Sequence, residues 1–326
     1  MTENTTASTH RIYGVCLQLT GLGIGALALW WLIHRMNIGP VCSTMQMVPW
    51  PVVVAALCLN LVSQVLRASG WWVLLGPALR LPLHRLVYYE VAAQAATSLT
   101  PEGSGEALRI WWLRREGVPA ATTTAIIISK KLVSSLGLVP FALLVPLLVD
   151  LPTWIVWITA GYSSLFIILG GLLLCVVRQH RNSGRLTGPL GRFLAALLDG
   201  LAPLRRSGVV FAALGLACTT RATDIMAAWM LCNGLGVPDG AAAATLSLLL
   251  IEISNVLPTA PAQIGSFDVA AAMALGVIGS PPSVSVGFAA LFHAQQLVPQ
   301  LVVGLVPLFY VSRADGHRPH QEGAQQ

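Results

Sequence analysis

Of the 326 residues, 55% are apolar and only 10% are charged, whereas soluble globular domains carry about 25% charged residues. With a mean hydropathy of +0.73, that balance excludes a soluble globular domain. The net charge of +6 is no sign of nucleic-acid binding, because it gathers in one loop, 178–206.

The reading is an all-α polytopic membrane protein. Uncharged runs cover 12–33, 49–66, 151–177, 207–220 and 225–238. Several can cross a hydrocarbon core of about 30 Å at 1.5 Å per residue, and about seven or eight spans fit the chain. The alternation of a membrane barrel is absent. In chain order, the polar N-terminus has no signal-peptide pattern, so Tyr13 to Ile33 is expected as a retained first span. After the second span, Arg67, Arg80 and Arg85, with Pro77 and Pro82, mark a cytoplasmic connection.

Residues 86–99 are too few to span upright and stop at Pro101. They are followed by a short helix from Ser104 to about Arg114, which predicts a re-entrant or broken-helix hairpin. Gly103 and Gly105 permit a tight turn beside Glu102. The N–H groups at such a half-helix start suit a phosphate or carboxylate. Glu106 and Arg109, at i and i+3, can pair, either as a fixed salt bridge pinning the hairpin or as a headgroup contact. In the next helix, Val118 to Val149, Lys130 and Lys131 either snorkel to the surface or face an acidic cavity. A kink is expected near Gly137 or Pro140.

The loop 178–206 holds Arg178, Arg181, Arg185, Arg192, Arg205 and Arg206 against Asp199 alone, which makes it cytoplasmic. Leu190, Phe193, Leu194, Leu197, Leu198, Leu201 and Leu204 recur there at helical spacing, as in an amphipathic helix lying on the inner leaflet. Farther on, Arg221 and Asp224 are expected to pair with each other, and Glu252 also sits in apolar surroundings. Pro258, Pro261 and Gly265 predict a second broken hairpin, with Asp268 as its carboxylate and Asn255 and Gln263 as neutral hydrogen-bonding groups. His293, a turn before Gln296, is either a packing residue or a proton carrier. Residues 313–326 read as a disordered tail.

The two hairpins suggest an internal repeat, with halves at about 12–150 and 151–312. Pro101-x-x-x-Gly105 then Glu106 answers to Pro261-x-x-x-Gly265 then Asp268, Gly117-Val118 to Gly276-Val277, and Gly137–Pro140 to Gly304–Pro307. Paired Gly/Pro breaks of this kind mark binding sites in transporters built of two repeats. The six cysteines are scattered and suggest neither a metal site nor a disulfide framework. Nucleotide loops and the common hydrolase motifs are missing, so neither a cofactor nor an enzyme is expected.

TPEGSGEALRIWWLRREGVP, with LPTAPAQIGSFDVAAAMALGV and LFHAQQLVPQLVVGLVPL, resembles the flippase-like integral membrane domain of lysylphosphatidylglycerol synthases, over roughly residues 12–312. Pro101, Gly103, Gly105, Glu106 and Arg109 match its first hairpin, and Pro261, Gly265 and Asp268 its second. Ala262 stands where the family has glycine, Asp268 where glutamate is usual, and Lys130-Lys131 where many members carry Glu-Arg. Glu102 stands where a small residue is common.

The resemblance implies a single membrane domain without the synthase's aminoacyl-transfer part. The implied task is to move a polar or lipid-linked headgroup between leaflets of the plasma (inner) membrane, or to serve as a non-transporting partner of a lipid-modifying enzyme. The implied ligands are membrane lipids with anionic or zwitterionic headgroups. The candidate substrate-binding set is Arg109, Glu106, Gly103, Gly105, Lys130, Lys131, Asp268, Gly265, Gln263 and His293.

Overall fold

In a computed structural model the chain is described over residues 38–76, 81–100, 103–179, 195–255 and 261–315, and the regular structure among them is helical. The expected first span, Pro101, Glu102, Pro258, residues 180–194 and the end of the tail lie outside the described residues. Helix α1 covers Ile38–Gln46, α2 Trp50–Leu75, α3 Leu83–Leu99, α4 Ser104–Arg115, α5 Ala120–Leu148 and α6 Thr153–Gln179. After a 3-10 turn at Ala202–Arg205 come α7 (Ser207–Gly234), α8 (Gly240–Ser254), α9 (Ser266–Val277) and α10 (Pro282–Asp315). Helix α10 thus runs beyond residue 312, where the tail was expected to begin.

Among the described residues, 5 helices are long and apolar enough to cross a membrane: α2, α5, α6, α7 and α10. The helices α3, α4, α8 and α9 measure only about 18 to 26 Å at 1.5 Å per residue, less than the hydrocarbon thickness. Helices α2, α3 and α5 start directly after Pro49, Pro82 and Pro119, whose fixed φ and missing N–H suit a helix entry. Helix α5 carries Pro140 and Pro146 inside it and is continuous through both.

The run α2–α5 and the run α7–α10 repeat one order: long, short, short, long. Their packing repeats as well. Helices α2 and α7, the first of each run, pack on each other. Helix α5 packs on α4 of its own run and on α8 of the other, while α10 packs on α9 and on α3. Each closing helix is therefore wedged between the two pairs of short helices.

Lipid tails are as apolar as leucine, so close packing rather than the hydrophobic effect holds such helices together. Small residues supply it where α5 crosses α7: a Cβ on Gly137 would lie 2.7 Å from the Ala217 carbonyl carbon. Two apolar clusters result, one around Leu138, Leu231, Leu249 and Phe288 and one around Trp71, Leu86, Leu113 and Ile126. Helix α2 passes from the first cluster at Ala56 to the second at Ala68, and α7 runs from the second at Ala213 to the first at Ala227. Between these points α2 carries Asn60, Ser63, Gln64 and Arg67, and α7 carries Arg221 and Asp224. On α5, Lys130, Lys131 and Ser135 stand between Ile127 and Leu138. A polar layer thus separates the two apolar clusters.

The described part of the arginine-rich loop departs from expectation. Residues 195–200 are helical, Leu201 and Leu204 are buried, and Leu197 and Leu198 pack on the second cluster with them. Its apolar side therefore covers protein rather than a leaflet. Arg205 Nε donates to the Val177 carbonyl at 3.1 Å, near the end of α6.

Candidate functional site

The first hairpin turns on two glycines. Gly103 precedes α4 with φ 93, in the left-handed region that favours glycine. Gly105 allows α4 to lie directly on α3, because a Cβ there would run into the Ala93 carbonyl and the Thr97 hydroxyl. Across this close approach Arg109 of α4 reaches Glu90 of α3.

Glu90 of α3, 2% exposed, is the hub of that layer. It accepts hydrogen bonds from Trp71 Nε1 of α2 at 2.8 Å and from Lys130 Nζ of α5 at 3.0 Å. Arg109 Nη2 of α4 lies at 3.2 Å. Four helices therefore converge on one carboxylate. The Trp71 ring also lies under Lys130 Nζ at 4.8 Å and Arg109 Cζ at 5.8 Å, close enough for cation–π attraction. A narrow cleft opens here, lined by Trp71, Leu86, Tyr89, Glu90, Arg109 and Leu113. Arg109 Nε is buried and has no hydrogen-bond partner.

Glu106, the third residue of α4, bonds Lys131 Nζ at 3.0 Å, while Arg109 Nη1 is 3.9 Å away. The anticipated Glu106–Arg109 pair is thus the weaker contact of each partner. The expected Arg221–Asp224 pair gives way similarly. Arg221 bonds Glu252 at 2.8 Å and Ser134 Oγ at 3.1 Å. Asp224 takes Arg67 Nη2 at 2.6 Å and Ser63 Oγ at 2.6 Å. Helical spacing allowed both of the expected pairs, but the neighbouring helices offered better partners.

In the second hairpin Gly265 precedes α9 with φ 90, and Asp268 is again the third residue of the short helix. Its Oδ2 accepts the Gly265 N–H at 3.1 Å, and its Oδ1 lies 2.9 Å from His293 Nδ1 on α10. The His293 Nε2 lies 2.9 Å from the Ala262 carbonyl, in the 3-10 turn Pro261–Gln263. This turn packs against α3 of the first hairpin. Gln263 takes part through its backbone, where its carbonyl accepts from Ser266 Oγ at 3.1 Å.

The left-handed glycines allow the two short helices to be set side by side in a register other than the expected one. Both short helices have 12 residues, and Gly265 answers to Gly103, not to Gly105. At the far ends, Gly279 (φ 87) answers to Gly117 (φ 90), not Gly276. Glu106 then matches Asp268, and Lys131 matches His293.

The predicted set falls into two groups: Glu106, Arg109, Lys130 and Lys131 at the first hairpin, and Asp268 and His293 at the second. Sequence reading missed Glu90, Trp71 and the Arg67–Asp224 bridge. The one available signal was Glu90's place as a lone acid before the small-residue run VAAQAA.

Among known families, residues 18–304 match the one described as the lysylphosphatidylglycerol synthase TM region. No curated protein matches the chain.

Proposed function

The chain belongs to the lysylphosphatidylglycerol synthase TM-region family, and on that premise we propose that it moves a lipid with an anionic headgroup between membrane leaflets. The charge balance of the polar layer carries this reading. Around the first hairpin, Arg67, Arg109, Lys130 and Lys131 face Glu90, Glu106 and Asp224, which leaves one formal positive charge in excess. Charge inside a bilayer is expensive and is kept where it meets a substrate. Arg109 offers an unsatisfied N–H at a cleft beside a half-helix, and guanidinium suits the oxygens of a phosphodiester.

In this proposal α3–α4 and α8–α9 are re-entrant pairs of a duplicated unit covering about 50–148 and 207–315. The polar layer between them is the path of the headgroup while the acyl chains stay in lipid. The arginine-rich loop 178–206 faces the cytoplasm of the inner membrane. A leaflet assay in proteoliposomes with fluorescent phosphatidylglycerol tests the reading. Protein-dependent movement supports it, whereas no movement by folded protein that co-purifies with a lipid-modifying enzyme supports the accessory role.

A further inference from the structure

His293 is placed between two acceptors. Its Nδ1 is 2.9 Å from the Asp268 carboxylate and its Nε2 is 2.9 Å from the Ala262 carbonyl. A neutral imidazole has one N–H, and an imidazolium has two. Only the protonated ring donates to both partners. The neutral ring aims a lone pair at one of them, and the carboxylate, the stronger acceptor, keeps the remaining N–H. The Phe267 ring stacks on His293 at 4.5 Å.

The bond to Ala262 holds a conformation that L residues resist. Ala262 and Gln263 both have φ 58, and neither is glycine, so the turn is under backbone strain. Release of the Nε2 proton to water removes the bond that offsets this strain. We propose that His293 is a proton-binding site whose occupancy latches the second hairpin's turn against α3, and whose release lets the turn withdraw. On the transport reading given above, this links lipid movement to proton uptake and release.

Most charged groups around His293 are paired with one another. Asp268 is the charged side chain in contact with it. On the other elements packed against α10, the charged groups are bonded elsewhere: Glu90 to Arg109 and Lys130, Arg67 to Asp224, Arg221 to Glu252, and Arg85 to Glu116. The remaining titratable groups there are His84, Tyr88 and Tyr89 on α3 and the cysteines of α1, α2 and α7. At the matching position the first run has Lys131, whose ammonium pairs with Glu106 at 3.0 Å.

Two measurements on the full chain in lipid decide the matter. In a cysteine-free background, Ile264→Cys beside the turn reports its accessibility to a maleimide. Ile264 is 42% exposed, and rates are referred to the same thiol in denatured protein. From about pH 5 to about pH 9, the range that spans histidine titration, the corrected rate is expected to rise several-fold with the slope of one proton. His293→Gln should give a flat profile. His293→Lys, which copies Lys131, should hold the turn closed throughout. A flat profile in the otherwise unchanged protein, or an unaltered rise in either variant, overturns the proposal.

In proteoliposomes carrying fluorescent phosphatidylglycerol, a gradient of about one pH unit should shift the steady-state leaflet ratio up to about tenfold for one coupled proton, and His293→Lys should abolish that shift. Movement that ignores the gradient overturns the coupling and leaves the transport reading intact. No movement at any pH overturns the transport reading, and the labelling profile then decides on the proton site alone.

Discussion

Lys131 and His293 follow the left-handed glycines Gly103 and Gly265 by the same number of residues. His293 bonds the Asp268 carboxylate at 2.9 Å across a separation of 25 residues. Lys131 bonds Glu106 at 3.0 Å across the same interval. Their surroundings differ: the Lys131 side chain is 68% exposed, whereas that of His293 is 10% exposed and stacked on Phe267. One pair is open to the surroundings at the first hairpin, and the other is enclosed at the second.

Glu90 is expected to be the least replaceable carboxylate of the layer. Glu90→Gln leaves Arg109 and Lys130 without their counter-charge, and breaking a buried pair by removing one partner costs about 3–5 kcal/mol. Glu106, 23% exposed, should cost far less on replacement by Gln. Thermal unfolding in detergent separates the two, and equal losses would show that Glu90 is not the hub.

The glycines of the first hairpin should differ in kind. Gly105→Ala drives a methyl group into the Ala93 carbonyl and Thr97 hydroxyl and should lower stability by about 1–3 kcal/mol or more. At Gly103 there is open space around an added Cβ, so alanine pays only the left-handed φ, about 1–2 kcal/mol. Melting temperatures in the reverse order would contradict the close crossing of α3 and α4.

Arg67 and Asp224 tie α2 to α7. A double-mutant cycle with Arg67→Ala and Asp224→Ala should yield a coupling of about 1–3 kcal/mol, because the second change relieves the charge that the first strands. Additive losses would mean that the bridge does not hold these helices together.

How far this arrangement was legible follows from what sequence encodes locally. Prolines, glycines and short apolar runs marked both pairs of short helices, since helix breaks and span lengths are local properties. The carboxylates at the third positions of α4 and α9 were found with them. Partner choice was not legible. Glu106 and Arg109 sit within one turn of each other, yet Arg109 reaches Glu90 and Glu106 reaches Lys131, because the neighbouring helices α3 and α5 decide which charges meet. The expected repeat was aligned on Pro101 and Pro261; the left-handed Gly103 and Gly265 offer a second alignment, which their unequal distances from those prolines hid. Of the expected membrane-surface stretch, Leu201 and Leu204 pack into the bundle, while Leu190, Phe193 and Leu194 lie outside the described residues.

Topology has its own test. With 178–206 in the cytoplasm, a cysteine at Ser183 in a functional cysteine-free background should react with an impermeant maleimide only after cells are opened. Ready labelling of intact cells would reverse the assigned orientation.

The central claim, that Arg109 and its neighbours conduct an anionic headgroup, is tested most directly by Arg109→Lys in the proteoliposome leaflet assay with fluorescent phosphatidylglycerol. Lysine keeps the charge beside Glu90 but loses the planar fork that fits phosphate oxygens. The account predicts that the unaltered protein moves the lipid and that Arg109→Lys slows it at least about tenfold, about 1.4 kcal/mol at the barrier, with little change in melting temperature. Unaltered lipid movement in Arg109→Lys, or none in the folded, unaltered protein, would contradict it.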